Sequence, residues 1–331
     1  MDHALTDAAV TKGSSRGAAG GGGPPTAARP APTYRRRRLR QGVLAWLRVL
    51  PFVGPSLFGV TVFLLLPVIL IFVLAFLQWN LLSPPTFVGF HNFVTIFRQD
   101  AAGHSLLVTA YYVVLAIPLQ TVLALGMAVM LNRKLPGMGF YRVIFVVPFM
   151  ATPVAMAVVW NWIFDPKYGF ANMFIGWFGI PAQNWLSSYK LAMPVLAVVN
   201  VWQWVGYNML FFLAGLQGIP PELLESAAID GATSWQRFKG VTLPLLRPTM
   251  LFVLVTTIIG SFQIFDTVFV LTSGGPGTST QVLNLSIYQI AFTDFRIGEA
   301  SAMSVVLFVV VLIFTFIQFA YFRRRTVYEY V

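Results

Sequence analysis

Pro220-Pro221-Glu222-Leu223-Leu224-Glu225-Ser226-Ala227-Ala228-Ile229-Asp230-Gly231-Ala232-Thr233-Ser234-Trp235-Gln236 separates two long apolar stretches, and its reading decides the fold. The proline pair opens a helix, because proline suits a first turn, where its missing N–H is not needed. Leu223, Leu224, Ala227 and Ala228 then fall mostly on one side of the segment 222–230. Gly231 is a natural C-terminal cap. Thr233 with Gln236 fits a capping box that starts a second short helix, with Trp235 and Phe238 as apolar anchors. Pro244 and Pro248 mark the return to apolar sequence. Two short helices joined at Gly231 therefore project from a loop at about 217–248. Their apolar side either rests on the chain's own bundle or the lipid headgroups, or it meets a partner.

Working outward, six apolar stretches approach or exceed the length that crosses a bilayer, about 20 residues. They run approximately over 52–77, 106–131, 143–164, 191–216, 249–271 and 302–322, and Asp266 is the one charged residue inside them. Lipid offers the backbone no hydrogen-bond partner, so runs this long are helices rather than the alternating strands of a barrel. Composition agrees: 57% of residues are hydrophobic and 10% charged, against roughly 25% charged in a soluble domain. The expected fold class is an all-α membrane protein of six transmembrane helices, over residues 51–331.

The formal charge of +11 sits at the ends. Residues 1–50 carry nine Lys/Arg against Asp2 and Asp7, and the C-terminus holds Arg323, Arg324 and Arg325. The loops at 132–142 (Arg133, Lys134, Arg142) and 217–248 (Arg237, Lys239, Arg247) are also basic, whereas the alternate loops hold only Arg98, Lys167, Lys190 and Arg296. Positive-inside counting puts both termini in the cytoplasm. Residues 1–34, rich in Gly, Ala, Ser, Thr and Pro, bury too little apolar surface to order themselves, so 1–50 reads as a disordered basic tail. Basic ends beside apolar spans are topology signals, and a chain this apolar offers no solvated domain for nucleic acid. There are no cysteines and only three histidines, with no pair at helical spacing, so no metal-ligand pattern appears.

The loop quoted above resembles the EAA loop of ABC importer permeases, in which Glu-Ala-Ala, three residues, Gly, nine residues, Ile, one residue and Leu-Pro follow one another. Glu225, Ala227, Gly231, Leu243 and Pro244 match at that spacing, while Ser226 and Val241 depart with small or β-branched character kept. The segments 87–93 (Phe-Val-Gly-Phe-His-Asn-Phe), 164–166 (Phe-Asp-Pro) and 271–276 (Leu-Thr-Ser-Gly-Gly-Pro) are similar to the first permease subunit of maltose-type and glycerol-phosphate-type importers. The resemblance implies the type I ABC importer permease fold in a bacterial inner membrane. It also implies a second permease subunit, a dimeric ABC ATPase and an extracytoplasmic sugar-binding protein. Glu225, Ala227, Ala228, Asp230, Gly231, Leu243 and Pro244 would then couple to the ATPase.

No GxxxxGK[ST] is present, so ATP and Mg are expected on the partner and no cofactor on this chain. Polar groups inside spans are costly and mark a path for substrate. The fourth stretch offers Asn200, Trp202, Gln203, Tyr207 and Asn208, and the fifth Gln263 and Asp266, three apart and so on one helix face. Amides, a carboxylate and aromatic faces suit sugar hydroxyls and ring faces. The same residues could instead make helix–helix hydrogen bonds. No Lys or Arg lies in a span, which favours a neutral disaccharide or oligosaccharide over a phosphorylated substrate. Two other classes stay open: an ion-coupled secondary transporter using Asp266, and a membrane scaffold or enzyme.

Overall fold

A computed structural model of the protein describes residues 51–133 and 136–323. The expected tail over 1–50, Lys134, Arg324 and Arg325 lie outside the described residues. The chain divides after Thr61 into two compact units; the first contributes the start of helix α1 (Pro51–Leu74), and the account below concerns Val62 onward.

A short antiparallel pair follows α1, β1 (Leu77–Gln78) with β2 (Thr86–Phe87), in the register Leu77 to Phe87 and Gln78 to Thr86. Helix α2 (His91–Arg98) holds it in place through buried Asn92, whose amide donates to the carbonyls of Ala75 and Leu77, both at 2.9 Å. Then come α3 (Ala101–Leu131), α4 (Met138–Met150), α5 (Pro153–Ile163), α6 (Phe170–Gly176) and α7 (Ala192–Gln217). The short pair α8 (Pro221–Ile229) and α9 (Ser234–Arg237) leads into α10 (Arg247–Phe262) and α11 (Asp266–Leu271), then α12 (Leu283–Tyr288) and α13 (Ile297–Arg323).

Among the described residues, five helices are long and apolar enough to cross a membrane: α1, α3, α7, α10 with α11, and α13. They differ in what covers them. The segment Leu66–Leu74 of α1 buries no side chain, while 61% of the apolar window of α7 is buried inside the chain. Helix α7 is therefore the core element. Helix α3 lies along it, presenting the buried stripe Tyr112, Ala116, Gln120, Ala124 and Ala128 at a spacing of four. Small residues on such a stripe let two backbones approach, which is how helices associate where no hydrophobic effect drives them.

The expected third span over 143–164 is not one helix. It breaks at Ala151-Thr152 into α4 and α5, which meet at a 98° bend. Pro153 is the local cause, since proline pushes the preceding residue out of helical ψ, and Thr152 is extended at ψ 137°. Gln203 of α7 donates its amide to the freed Ala151 carbonyl at 3.3 Å. The fifth span also departs from a single helix. Gln263 closes α10, Phe265 takes φ −144° and ψ −61°, and α11 starts at Asp266. No proline is involved here, and the Gln263 carbonyl accepts from the Asn284 amide of α12 at 2.8 Å.

Helix α3 connects the two ends of the bundle. At its start, Thr109 accepts the Leu283 N–H at 2.9 Å and Ser105 bonds Ser286 at 2.6 Å, so α12 is drawn back into the bundle with Leu283 and Leu285 fully buried. At its finish, the Arg142 guanidinium donates to the Leu131 carbonyl at 3.0 Å, covering an end that would otherwise lack a donor. Residues Val129, Asn132 and Leu216 there face Leu224 and Phe238 of the short-helix segment. The pair α8–α9 and the helix α12 thus lie at opposite ends of α3.

Candidate functional site

Both breaks border one cavity of about 390 Å³. Asn200, Gln203, Tyr207 and Asn208 line it from α7, and Gln263 and Asp266 from the break in the fifth span. All six polar residues singled out in the sequence for a substrate path share it. They do so by a different route than expected for the last two. Gln263 and Asp266 do not share one helix face, because the helix is interrupted between them; the unwound turn brings both to the cavity wall. Trp202 is not part of the lining. It is 40% exposed and meets Trp160 edge-on, with ring centroids 5.2 Å apart.

The polar groups divide by what they already do. Asn208 donates to the Thr257 hydroxyl at 2.9 Å, and Gln203 holds Ala151, so each joins two helices as well as facing the cavity. Asn200 and Tyr207 are half-buried, and Gln263 and Asp266 are exposed. One face of the Tyr207 ring is stacked on Phe149 at 4.4 Å. Asp266 is the one carboxylate among the described residues lining the cavity, and no Lys, Arg or His joins it. Gln120, Trp204, Thr257 and Ser261 also contribute and were not singled out in the sequence. Gln120 carried a usable signal, a carboxamide inside an apolar run; serine and threonine hydroxyls carry little, since they are commonly absorbed by their own helix backbone.

At the far end of α3, the α8–α9 segment has the capping expected of it. Pro221 occupies the first turn of α8. The Ala232 N–H reaches the Ala227 carbonyl at 3.0 Å and the Gly231 N–H the Ala228 carbonyl at 3.1 Å, the paired bonds of a Schellman motif. Gly231 has φ +81°, a conformation that costs any residue with a Cβ. The Thr233 hydroxyl accepts from the Gln236 N–H at 3.3 Å, and the Gln236 side chain accepts from the Thr233 N–H at 2.7 Å. Leu224 and Ala227 turn toward the bundle, half-buried; Leu223 and Ala228, expected on the same side, are exposed. Glu225, Asp230 and Gly231 are exposed, Leu243 and Pro244 half-buried. Ile229 and Trp235 are 87% and 69% exposed, so large apolar groups stand uncovered at the tip.

The turn after α5 is built on Asp165, which accepts the N–H groups of Lys167 and Tyr168, both at 2.8 Å. Those donors, Tyr168 foremost, hold its carboxyl below the usual carboxylate range.

Membrane-length helices thus surround a polar-lined cavity, with a capped helix pair toward one end of α3. Residues 112–328 match the binding-protein-dependent transport system inner membrane components, and the chain belongs to that family. It is 33% identical over 291 residues to the probable starch degradation products transport system permease protein AmyD of Thermoanaerobacterium thermosulfurigenes, covering 87% of this chain and 97% of that one. It is 33% identical over 293 residues to the trehalose/maltose transport system permease protein MalF of Thermococcus litoralis, with the same coverage. In fold it is similar to a chain in the crystal structure of a bacterial ABC transporter involved in the import of the acidic polysaccharide alginate, with a TM-score of 0.78, 24% identity, and 88% of this chain and 100% of that one covered.

Proposed function

We propose that this chain is one of two permease subunits in an ATP-driven importer of neutral disaccharides or oligosaccharides. The observation that carries the reading is the cavity lining: amides, hydroxyls and aromatic rings, with one carboxylate and no cation. Amides and hydroxyls match sugar hydroxyls in both donor and acceptor roles, and ring faces match the apolar face of a pyranose. A phosphorylated substrate would call for cations, and the described lining supplies none. Relatives named for starch degradation products and for trehalose and maltose support the same substrate class.

Energy reaches the cavity from the other end of α3. The exposed tip of α8–α9, with Ile229 and Trp235 uncovered and Glu225 and Asp230 beside them, suits a cleft on an ABC ATPase, which binds the ATP and Mg. This chain performs no chemistry of its own. Arg133, Arg142, Arg237 and Lys239 lie toward that end, so α8–α9 face the cytoplasm, and the bent α4–α5 pair counts as the sixth span. Both termini are then cytoplasmic. A binding protein delivers the sugar at the α12 end, and the second permease covers part of the apolar surface left open here.

The test is ATP hydrolysis by the full assembly in lipid, with and without a sugar-loaded binding protein. Stimulation by the loaded protein is expected. A lone chain that moves substrate down an ion gradient, recruiting no ATPase, would overturn the reading and make Asp266 an ion site.

A further inference from the structure

Gln120 is the one residue that α3 contributes to the cavity wall. It is 4% exposed and belongs to the stripe that α3 presses into the bundle, with fully buried Ala116 and Ala124 one turn to either side. Among the described residues its carboxamide makes no hydrogen bond, yet neither its oxygen nor its nitrogen is sealed away from the cavity.

The other deeply buried carboxamides on this wall already have work within the chain. Gln203 donates to the Ala151 carbonyl and Asn208 to the Thr257 hydroxyl, each joining one helix to another. That is the ordinary use of an amide inside a membrane bundle. Gln120 joins nothing. Asn200 and Gln263 are less buried, so water can meet their amides. For Gln120, burial without a partner costs about as much as a lost hydrogen bond, and an apolar side chain of the same length would avoid that cost. Ser261 of α10 is in the same condition: 6% exposed, on the cavity wall, and without a partner for its hydroxyl among the described residues.

A carboxamide presents an acceptor and a donor side by side, whichever way the amide is turned. Neighbouring hydroxyls on a sugar ring are the complement, one donating to the oxygen while the next accepts from the nitrogen. A wall built to bond a hydroxyl also rejects the analogue lacking it, because its own buried group is then left unpaired. We propose that Gln120 is a specificity-determining residue of the cavity, its carboxamide reading two neighbouring hydroxyls of the sugar ring, with the Ser261 hydroxyl as a second contact from α10. The proposal rests on the neutral-saccharide reading above and deepens it. Substrate supplies the partners that the bundle withholds from these two groups.

The experiment uses the complete assembly in lipid vesicles with its binding protein, and neutral disaccharides of glucose, galactose and xylose as probes. A transported probe is then compared with those of its monodeoxy analogues that still load the binding protein. Gln120→Met keeps the length, unbranched shape and helical propensity of the side chain and removes the amide. Uptake is expected to fall about tenfold, the rate equivalent of hydrogen bonds lost to substrate. The unfolding midpoint should hold or rise, because an unmet buried amide has gone. An analogue lacking a hydroxyl that Gln120 reads should enter about tenfold more slowly than its parent through the unmodified assembly, and within about twofold of it through the variant. Discrimination that survives unchanged in the variant would overturn the assignment, as would uptake within about twofold of the unmodified rate for every probe. A lowered midpoint with equal loss for all probes would make Gln120 a packing group and overturn it too. If the unmodified assembly takes up none of the neutral disaccharides, the substrate class falls and the assignment falls with it.

Discussion

Gly206 of α7 sits directly against the carbonyl of Phe145 in α4: a Cβ at residue 206 would overlap that oxygen. The contact sets how closely the broken third span approaches the core helix, and it lies one turn from the stacked pair Phe149 and Tyr207 that borders the cavity. Gly206→Val must push α4 away. Overpacking of this kind costs about 1–3 kcal/mol. Thermal unfolding of the purified assembly should shift down accordingly, and an unchanged midpoint would show that the two backbones are not held together.

Gly231→Val places a β-branched residue at φ +81°, where strain of about 1–2 kcal/mol falls on the turn between α8 and α9. Nothing lies near that position to clash with a Cβ, so the effect is conformational rather than steric. ATP hydrolysis stimulated by the loaded binding protein should be lost while the unfolding midpoint of the spans stays put. Gly231→Asn, which tolerates the left-handed region, should restore most of the stimulation. Equal loss in both variants would shift the explanation from backbone conformation to side-chain size.

Thr233→Ala removes one half of the capping box and leaves the Gln236 N–H without its partner. A cost of about 1 kcal/mol is expected, confined to α9. Hydrogen exchange should quicken at residues 234–238 with no change in α7 or α13. Exchange that quickens throughout would mean that α9 is cooperative with the bundle.

Asp266→Asn keeps the hydrogen-bonding geometry and removes the one charge at the cavity wall. For a neutral saccharide driven by ATP, uptake should change by a few-fold at most, and it should remain indifferent to a collapsed ion gradient. Abolished uptake together with sensitivity to the gradient in the unmodified protein would identify Asp266 as the ion site of a secondary transporter.

Much of this was readable from local residues. The Schellman turn at Gly231 and the box between Thr233 and Gln236 involve partners within five positions, and such geometry depends on little else. Spans and intramembrane polar groups were readable for another reason: lipid penalises unmet polar groups strongly enough that six scattered residues converged on one wall. The breaks were not readable. Pro148 and Pro153 are compatible with a gentle kink, and the 98° bend depends on a donor from Gln203, 52 positions away. The break before Asp266 has no proline at all. The re-entry of α12 likewise needs hydroxyls of Ser105 and Thr109, remote in sequence, to accept a segment that reads alone as an ordinary loop.

An intact helix resists bending because each turn is clamped to the next. The third and fifth spans have each given up that clamp at one level, beside the cavity. What bridges each joint is a single carboxamide from a neighbour, Gln203 on the Ala151 carbonyl and Asn284 on the Gln263 carbonyl. Swinging the far half of either span therefore releases that hydrogen bond, worth about 0.5–1.5 kcal/mol net, together with the packing of that half, but melts no helical turn. The compliance of the cavity wall rests on two latches, and they are hung on different elements, α7 and α12.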